Sequence, residues 1–367
     1  MIQVLEQLEP AMERALRSFL VKAPTSSGVT PEHDPHWLTV LREGLGHRTF
    51  CLVARDDQTN QLIGYLPLAL VASRLFGRFL VSLPYLNRAG VVATDGDTAA
   101  ALIDAAAMLA GQHDVKYLEI RHHGRGSDHP KLFVKKADKV RMALSLPGPE
   151  DAAATNGDAL ATLWNRYNPK VRNAVRKAER SKFDIQWGSG ELLDEFYSVF
   201  AVNMRDLGTP VYPRRLFLSI LDTLAPRAEL AVVRLEGRPV AGALLVHDAA
   251  AEGYPATTTV PSASALREVS SSNANMWMYH LLLQRAVQRG SREFDFGRSS
   301  VDSGTYRFKK QWGAVPSPTT WQYHVRRGDV GAMRPTHPRN LRRIQTWQKL
   351  PVWLTRLVGP TIVRGIP

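Results

Sequence analysis

The order of strands and helices in the second half of the chain is the feature that most constrains its fold. The segment "ELAVVRLEGRPVAGALLVHD" predicts a β-hairpin that turns at Glu236-Gly237, and "EGYPATTTV" predicts a third strand. A polar loop, a helix over about residues 273–289 and the strand "EFDFGR" follow, and "TTWQYHV" predicts a last strand. The helices predicted before the hairpin cover about 158–182, 191–206 and 213–224. Strands and helices in one compact unit indicate an α/β or α+β domain.

The first half shows a less regular version of the same order. The segments "TFCLVA", "LIGYLPLALVAS", "FLVSLP" and "GVVAT" predict strands, an alanine-rich helix spans about Asp97 to His113, and "KYLEIRH" predicts the next strand. "KVRMALSLP" closes this unit, and "GPEDAAATNGD" is typical of a linker. Because 367 residues exceed one typical core, we predict two domains, 1–155 and 156–330, and a C-terminal tail over 331–367.

The net charge of +13 is concentrated in two blocks. Residues 166–182 hold seven basic side chains against one acid, and residues 331–367 hold seven against none. We therefore expect two basic surfaces on an otherwise nearly neutral protein. In the first block, "NPKVRNAVRKAERSK" predicts a helix with Asn168 as N-cap and Pro169 at its first position. The candidate polyanion-binding residues on it are Arg172, Arg176, Lys177 and Arg180. The alternative is an ordinary solvated face.

Cysteine count and missing motifs exclude several classes. The single cysteine, Cys51, lies in an apolar run, so neither a disulfide framework nor a cysteine-ligated metal cluster is expected. The chain has no HExxH, GxSxG or GxxxxGK[ST] motif, and we predict no metal site. Its N-terminus lacks a signal pattern, and no uncharged apolar stretch is long enough to span a bilayer, which predicts a cytoplasmic protein.

Residues 294–314, "FDFGRSSVDSGTYRFKKQWGA", combine basic, aromatic, acidic and glycine residues in a short segment. If residues 304–313 are extended, Arg307 and Lys309 point to one side, away from the face of Tyr306 and Phe308. One interpretation is a cradle for a polyanion or acyl group around Lys309. The other is a strand followed by a solvated hairpin.

Five segments carry a resemblance to a known family: "SLPYLNRAGVVAT", "YNPKVRNAVRKAER", "NMRDLGTPVYPRRLF", residues 294–314 and "WQKLPVWLTRLVGPTIVRGIP". Together they resemble the FemAB-like proteins found with bacterial exosortase and PEP-CTERM systems, part of the wider Fem family. The resemblance implies two tandem GNAT-like domains. It also implies transfer of an amino acid from aminoacyl-tRNA to the amine of a peptidoglycan precursor. Lys309 matches a functionally important lysine of the family, whose expected role is to hold the oxyanion or an anionic donor as a charge.

The candidate site residues follow from these motifs. The candidate catalytic residues are Lys309, Arg307, Asp295 and Arg298, of which Asp295 and Arg298 flank Gly297 and are expected to pair. The candidate substrate-binding residues are Tyr306, Ser303, Lys310, Asn203, Arg205, Thr209, Tyr212, Asn273 and Asn275. The loop "VPSASALREVSSSNANMW" contains no glycine, unlike the pyrophosphate-binding loop with which GNAT domains usually hold acyl-CoA.

The predicted function is an N-acyltransferase of the Fem type, acting on an amine of a cell-envelope or exopolysaccharide-linked precursor without a resident cofactor. One alternative is a GNAT-like enzyme that uses acyl-CoA or acyl-carrier protein, and another is a non-catalytic adaptor that binds a polyanion. The predicted partners are a small or lipid-linked amine acceptor and tRNA. The basic tail, with Trp347 and Trp353, predicts either contact with the cytoplasmic face of the inner membrane or a strap packed on the domain.

Overall fold

The computed structural model describes residues 1–24, 27–134, 139–151, 156–330 and 338–367. In these ranges the helices are α1 (Pro10–Val21), α2 (His36–Leu45), α3 (Gly96–Gln112), α4 (Ala159–Arg166), α5 (Pro169–Glu179), α6 (Leu193–Leu207), α7 (Arg214–Thr223), α8 (Ala274–Gln288), α9 (Gly304–Gln311), α10 (Pro338–Gln348) and α11 (Val352–Val363). The strands are β1 (Ile2–Leu5), β2 (Arg48–Arg55), β3 (Leu62–Ser73), β4 (Gly77–Val81), β5 (Val92–Ala93), β6 (Tyr117–His123), β7 (Phe133–Val134), β8 (Lys139–Ser145), β9 (Phe183–Gly188), β10 (Ala228–Leu235), β11 (Arg238–Asp248), β12 (Thr257–Ala265), β13 (Glu293–Ser300) and β14 (Val315–Val325).

One mixed sheet connects both halves of the molecule. Its strand order is β1-β2-β3-β4-β6-β14-β8-β13-β12-β11-β10-β9, with β5 beside β3 and β7 beside β14. Neighbouring residues of β2 belong to different cores, Phe50 and Leu52 to one and Cys51 and Val53 to the other. The strand is therefore buried on both faces, as its nearly continuous apolar sequence requires.

Among the described residues, each half contains one parallel pair of strands separated in sequence by a helix. In the first half β4 is parallel to β6, with α3 between them in sequence. In the second half β12 is parallel to β13, with α8 between them. The repeated arrangement confirms the fold class of two tandem GNAT-like units that was predicted from element order and resemblance.

The two halves exchange strands. β8, which comes before the predicted boundary at residue 155, pairs with β13 of the second half. β14, which comes late in the second half, pairs with β6 of the first half and with β8. The predicted boundary at residue 155 therefore remains a prediction, because β8 and β14 each form hydrogen bonds with a strand from the other side of it.

Helix packing joins the halves a second time. Trp37 and Leu41 of α2 lie in the same buried core as Leu216 and Phe217 of α7. The helices approach closely at Gly44, where an added Cβ would lie 2.8 Å from the Cα of Leu216. A glycine at this position therefore permits the contact between the two backbones.

The described part of the C-terminal tail packs on the second half. Thr355, Gly359 and Val363 of α11 are buried, and a Cβ on Gly359 would lie 2.9 Å from the backbone N of Val211. Arg205 donates from Nη1 to the carbonyl O of Leu350 at 3.2 Å. These contacts agree with the strap alternative. None of the helices in the described ranges has the length and apolar character needed to cross a membrane.

Two local predictions differ from the structure. The single helix expected over 158–182 is two helices, because Pro169 disfavours helical geometry at the residue before it. Asn168 begins the second helix as predicted, and its Oδ1 accepts a hydrogen bond from the backbone N–H of Val171 at 3.0 Å. Residues 304–311, expected to be extended, form α9.

Candidate functional site

A cavity of about 510 Å³ lies where β12 and β13 separate. The two strands pair only through residues 257–259 and 293–295, and beyond this point both contribute lining residues. Tyr85, Leu86 and Asn87 from the first half line the same cavity. A polar cleft between domains, lined by a few converging side chains, is the usual place for a binding site.

Lys309 is the cation that α9 brings to this cavity. The helix begins at Ser303, whose Oγ accepts a hydrogen bond from the backbone N–H of Tyr306 at 3.1 Å. Lys309 Nζ donates to the carbonyl oxygens of Gly297 and Arg298, at 3.2 and 3.0 Å. Burial lowers the pKa of Lys309 to about 8, against the opposing influence of Asp295.

The helical conformation corrects the predicted directions of the side chains. In an extended segment Lys309 was expected to point with Arg307, away from Tyr306. A helix instead brings residues three apart to one face, so Tyr306 and Lys309 are both buried. Arg307 is exposed and donates to the carbonyl O of Asp302 at 2.6 Å. Of the two cations, Lys309 lines the cavity and Arg307 lies on the helix surface.

Asp295 is the centre of a buried ion-pair network that joins the halves. Its Oδ2 accepts hydrogen bonds from Arg88 Nη2 at 2.8 Å and from Arg141 Nε at 2.7 Å. Burial alone would raise the pKa of Asp295, but the two guanidinium groups outweigh it and hold the pKa below its usual value. Arg88 also pairs with Glu32, and Arg141 with Glu293.

The predicted pairing across Gly297 takes another form. Asp295 accepts from the backbone N–H of Gly297 at 2.7 Å and pairs with the two arginines described above. The guanidinium carbon of Arg298 lies 3.7 Å from the centre of the Trp321 ring, and that of Arg121 lies 4.0 Å from it. Arg298 therefore lies against Trp321 at the edge of the cavity, while Asp295 fixes the backbone turn.

Of the four candidate acceptor residues around the Gly-Thr-Pro turn, Tyr212 contacts a side chain that lines the cavity. Asn203 Nδ2 donates to Ser264 Oγ at 3.0 Å, and the ring of Tyr212 packs edge-on against Tyr85 at 5.0 Å. Arg205 pairs with Asp206 at 2.6 Å, and Thr209 is exposed. In the described part of the chain, none of these four candidates lines the cavity itself.

The other predicted binding residues lie at or near the first turns of α8 and in or next to α9. Ser303 caps α9, and Lys310 is exposed with Nζ 5.8 Å from the centre of the Tyr306 ring. Asn273 precedes α8 in a left-handed conformation without a side-chain cap, and Asn275 is half-buried in the first turn of that helix. Within the described ranges these residues also lie outside the cavity lining.

The predicted basic stripe forms the outer face of α5. Arg176, Lys177 and Arg180 are exposed and Arg172 is half-buried, while Val171 and the other apolar residues face inward. Asn168 Nδ2, at the start of this helix, donates to the carbonyl O of Gln311 at 3.0 Å. The stripe therefore begins next to the end of α9, the helix that carries Lys309.

Sequence reasoning missed several polar residues of the site. Arg88 lies inside a quoted motif, "SLPYLNRAG", yet had no role assigned to it. Glu32, Asp248 and Ser299 line the cavity and are buried. An acid at the end of an apolar strand, as in "LLVHD", was the available signal for Asp248. In the described ranges no group of three or more His, Cys, Asp or Glu side chains is arranged to hold a metal ion.

The two parallel strand pairs, each with a helix between its strands in sequence, define a tandem GNAT fold. Residues 148–310 match the family model described as an acetyltransferase (GNAT) domain. Fold and domain match together identify an acyltransferase, whose acyl donor is a cosubstrate rather than a resident cofactor. No curated protein matches the chain in sequence.

Solved structures share this fold over most of the chain. A crystal structure of FemX is 13% identical with a TM-score of 0.57, covering 95% of this chain and 100% of that one. A tandem GNAT protein from the clavulanic acid biosynthesis pathway is 12% identical with a TM-score of 0.56, covering 90% and 100%. The C-terminal domain of a putative lysylphosphatidylglycerol synthetase from Agrobacterium fabrum is 12% identical with a TM-score of 0.52, covering 86% and 92%.

Proposed function

We propose that the protein transfers an aminoacyl group to an amine on a cell-envelope or exopolysaccharide-linked precursor. The observation that carries this proposal is the position of Lys309. Its ammonium group lies beside the cavity where β12 and β13 separate, held by the carbonyl oxygens of Gly297 and Arg298. Resemblance to the exosortase-associated FemAB-like group supports the acceptor class.

The chemistry requires little beyond position and charge. An amine nitrogen attacks the carbonyl carbon of the donor, and negative charge develops on the carbonyl oxygen. Lys309, already fixed by two hydrogen bonds, stabilises that charge without first having to be ordered. Ser299 adds a buried hydroxyl whose Oγ has no hydrogen-bond partner in the described part of the chain.

The proposed donor is aminoacyl-tRNA. The exposed cations of α5 suit phosphate contacts, and the helix begins at a hydrogen bond to Gln311 of α9. The loop after β12 contains no glycine, and a short 3-10 helix, Arg267–Ser272, occupies it before α8. That loop is unlike the usual acyl-CoA loop, which favours the aminoacyl donor over a thioester.

The proposed acceptor is lipid-linked, and we place the enzyme at the membrane surface where such precursors lie. Trp353 and Leu357, one turn apart on α11, are 67% and 69% exposed although the opposite side of the helix is buried. Arg356, next to Leu357 in sequence, and Arg364, at the end of the helix, are also exposed. An exposed aromatic and aliphatic pair among cations suits an anionic membrane interface.

Substitution of Lys309 tests the proposed reaction. Lys309→Met should lower kcat/KM for aminoacyl transfer by about 100-fold or more, because the oxyanion loses its cation. Transfer from aminoacyl-tRNA and from acetyl-CoA to lysine-containing peptidoglycan precursors would be measured by mass spectrometry.

The control is Lys22→Met, because Lys22 is an exposed lysine at the end of α1 and does not line the cavity. This variant should keep most of the activity. Equal activity of wild type and Lys309→Met would contradict the role of Lys309. Transfer from acetyl-CoA but not from aminoacyl-tRNA would show that the donor is a thioester.

A further inference from the structure

Two carboxylates that the transfer chemistry above does not use line the same cavity. Glu32 comes from the first half, in a short 3-10 helix before α2, and Asp248 comes from the end of β11. They are 8% and 7% exposed. The site therefore combines the cation Lys309 with acids from both halves of the protein.

Glu32 has an unused hydrogen-bond acceptor. Its Oε1 accepts from Arg88 Nε at 3.0 Å, whereas its buried Oε2 accepts no hydrogen bond from the described residues. A buried carboxylate oxygen without a donor is costly. A donor inside the cavity would remove this cost.

Asp248 shares its guanidinium partner with another acid. Its Oδ1 accepts from Arg227 Nη1 at 2.7 Å, and Arg227 Nη2 donates to Asp34 Oδ2 at 2.6 Å. Arg88 is divided in the same way between Glu32 and Asp295. Arg227 and Arg88 are therefore each shared by two carboxylates, which favours the binding of an additional positive charge.

We propose that Glu32 and Asp248 form the subsite for the acceptor, that they bind it as a primary ammonium ion, and that Asp248 accepts a proton from it before attack. This inference rests on the proposed acyl transfer, because it names the class of acceptor for that same cavity. Glu32 Oε2 is the hydrogen-bond acceptor that orients the ammonium group. Substrates without a primary amine are then excluded by the unpaired carboxylates that they would leave.

The proton balance is complete without another reactant. The ammonium ion gives one proton to the Asp248 carboxylate and becomes a neutral amine. Its nitrogen forms a bond to the donor carbonyl carbon, and the charge that appears on the carbonyl oxygen faces Lys309. When the bond from that carbon to the leaving oxygen or sulfur breaks, the second nitrogen proton moves to the leaving group. The products are an amide and a free hydroxyl or thiol.

The surroundings of Asp248 suit a proton acceptor near neutral pH. Burial raises its pKa to about 7, with Arg227 opposing and the carboxylates of Asp34 and Glu32 adding to the increase. Tyr254 lies in the same charged surroundings. Activity should therefore fall as pH decreases below about 7, where Asp248 is already protonated.

Binding of a simple amine tests the subsite without a donor. The probe is Nα-acetyl-L-lysine methylamide, and the matched control ligand is Nα-acetyl-L-norleucine methylamide, both titrated by NMR. Wild type should prefer the lysine probe by about tenfold or more. Glu32→Gln keeps an oxygen that accepts from Arg88 but replaces the unpaired oxygen by an NH2 donor, so it should remove most of the preference for the lysine probe. Asp248→Asn should also remove most of this preference.

An unchanged preference in both variants, or no preference in wild type, would overturn the subsite. Thermal unfolding checks the fold, and if Asp248→Asn is unstable, Glu32→Gln decides. Lys309→Met should retain the lysine preference while losing turnover. If binding of the lysine probe depends on Glu32 but no donor gives acyl transfer, the proposed function is refuted and the subsite is not. If acyl transfer occurs but the preference for the lysine probe does not depend on Glu32, the subsite is refuted and the proposed function is not.

Discussion

At the scale of single residues, the site depends on buried charges that stabilise one another. The resemblance selected Lys309, the position of Asp295 beside Gly297 selected the acid, and both line the cavity. Sequence could not predict the partners of Asp295, since Arg88 and Arg141 lie 207 and 154 positions away along the chain. Long-range pairing of this kind depends on strand order, which single-sequence patterns do not contain.

The pKa of Lys309 predicts an alkaline limit to activity. Lysine stabilises an oxyanion only when protonated, and burial lowers the pKa of Lys309 to about 8. Thus kcat/KM should fall as pH rises through about 8. The test is to measure kcat/KM at pH values from about 7 to about 10. Lys309→Arg remains protonated over this range and should shift the decline to higher pH. An identical alkaline decline in this variant would assign it to another group.

At the scale of helices and strands, the spacing of apolar residues predicted most elements. It failed where a strand period of two residues and a helical period of about 3.6 residues fit equally well. The hairpin turn at Glu236-Gly237 and the helix over 274–288 were predicted within about one residue. Residues 304–311 were too short to distinguish alternation from a helical stripe. Serine is a favoured N-cap residue, so Ser303, which accepts the hydrogen bond from the Tyr306 N–H, was the residue in the sequence that indicated a helix start here.

The contact of α2 with α7 predicts a steric limit at Gly44. Alanine has the higher helix propensity by about 1 kcal/mol, but its Cβ would lie 2.8 Å from the Leu216 Cα. Gly44→Ala should therefore lower the free energy of unfolding by about 1–3 kcal/mol, measured by urea denaturation. Gly111→Ala in α3 is the matched control, because nothing lies within 4 Å of its added Cβ. A stabilised Gly44→Ala would mean that the helices separate at no cost.

At the scale of the whole molecule, the C-terminal tail has one side that packs on the protein and another side that exposes apolar residues. The sequence left open whether it packs on the domain or contacts a membrane. The buried side of α11 supports the first alternative, and its exposed Trp353 and Leu357 keep the second as a prediction. Part of the tail, residues 331–337, lies outside the described residues.

Membrane binding should depend on the exposed side chains of Trp353 and Leu357. The double substitution Trp353→Ser and Leu357→Ser should weaken binding to phosphatidylglycerol vesicles by about tenfold or more in sedimentation, without changing thermal unfolding. A control pair, Leu75→Ser and Met108→Ser, removes similarly exposed apolar side chains elsewhere and should bind like wild type. Equal loss in both pairs, or no binding by wild type, would contradict the proposed surface.

The exchange of β8 and β14 between the halves affects how the protein is made. β6 acquires its neighbour β14 only after almost all of the second half has been synthesised. Until then, β6 keeps one edge without a neighbouring strand, and an open edge is prone to pair with other chains. A finished first domain therefore cannot form before β14 has been synthesised, and only then can the sheet reach its full strand order.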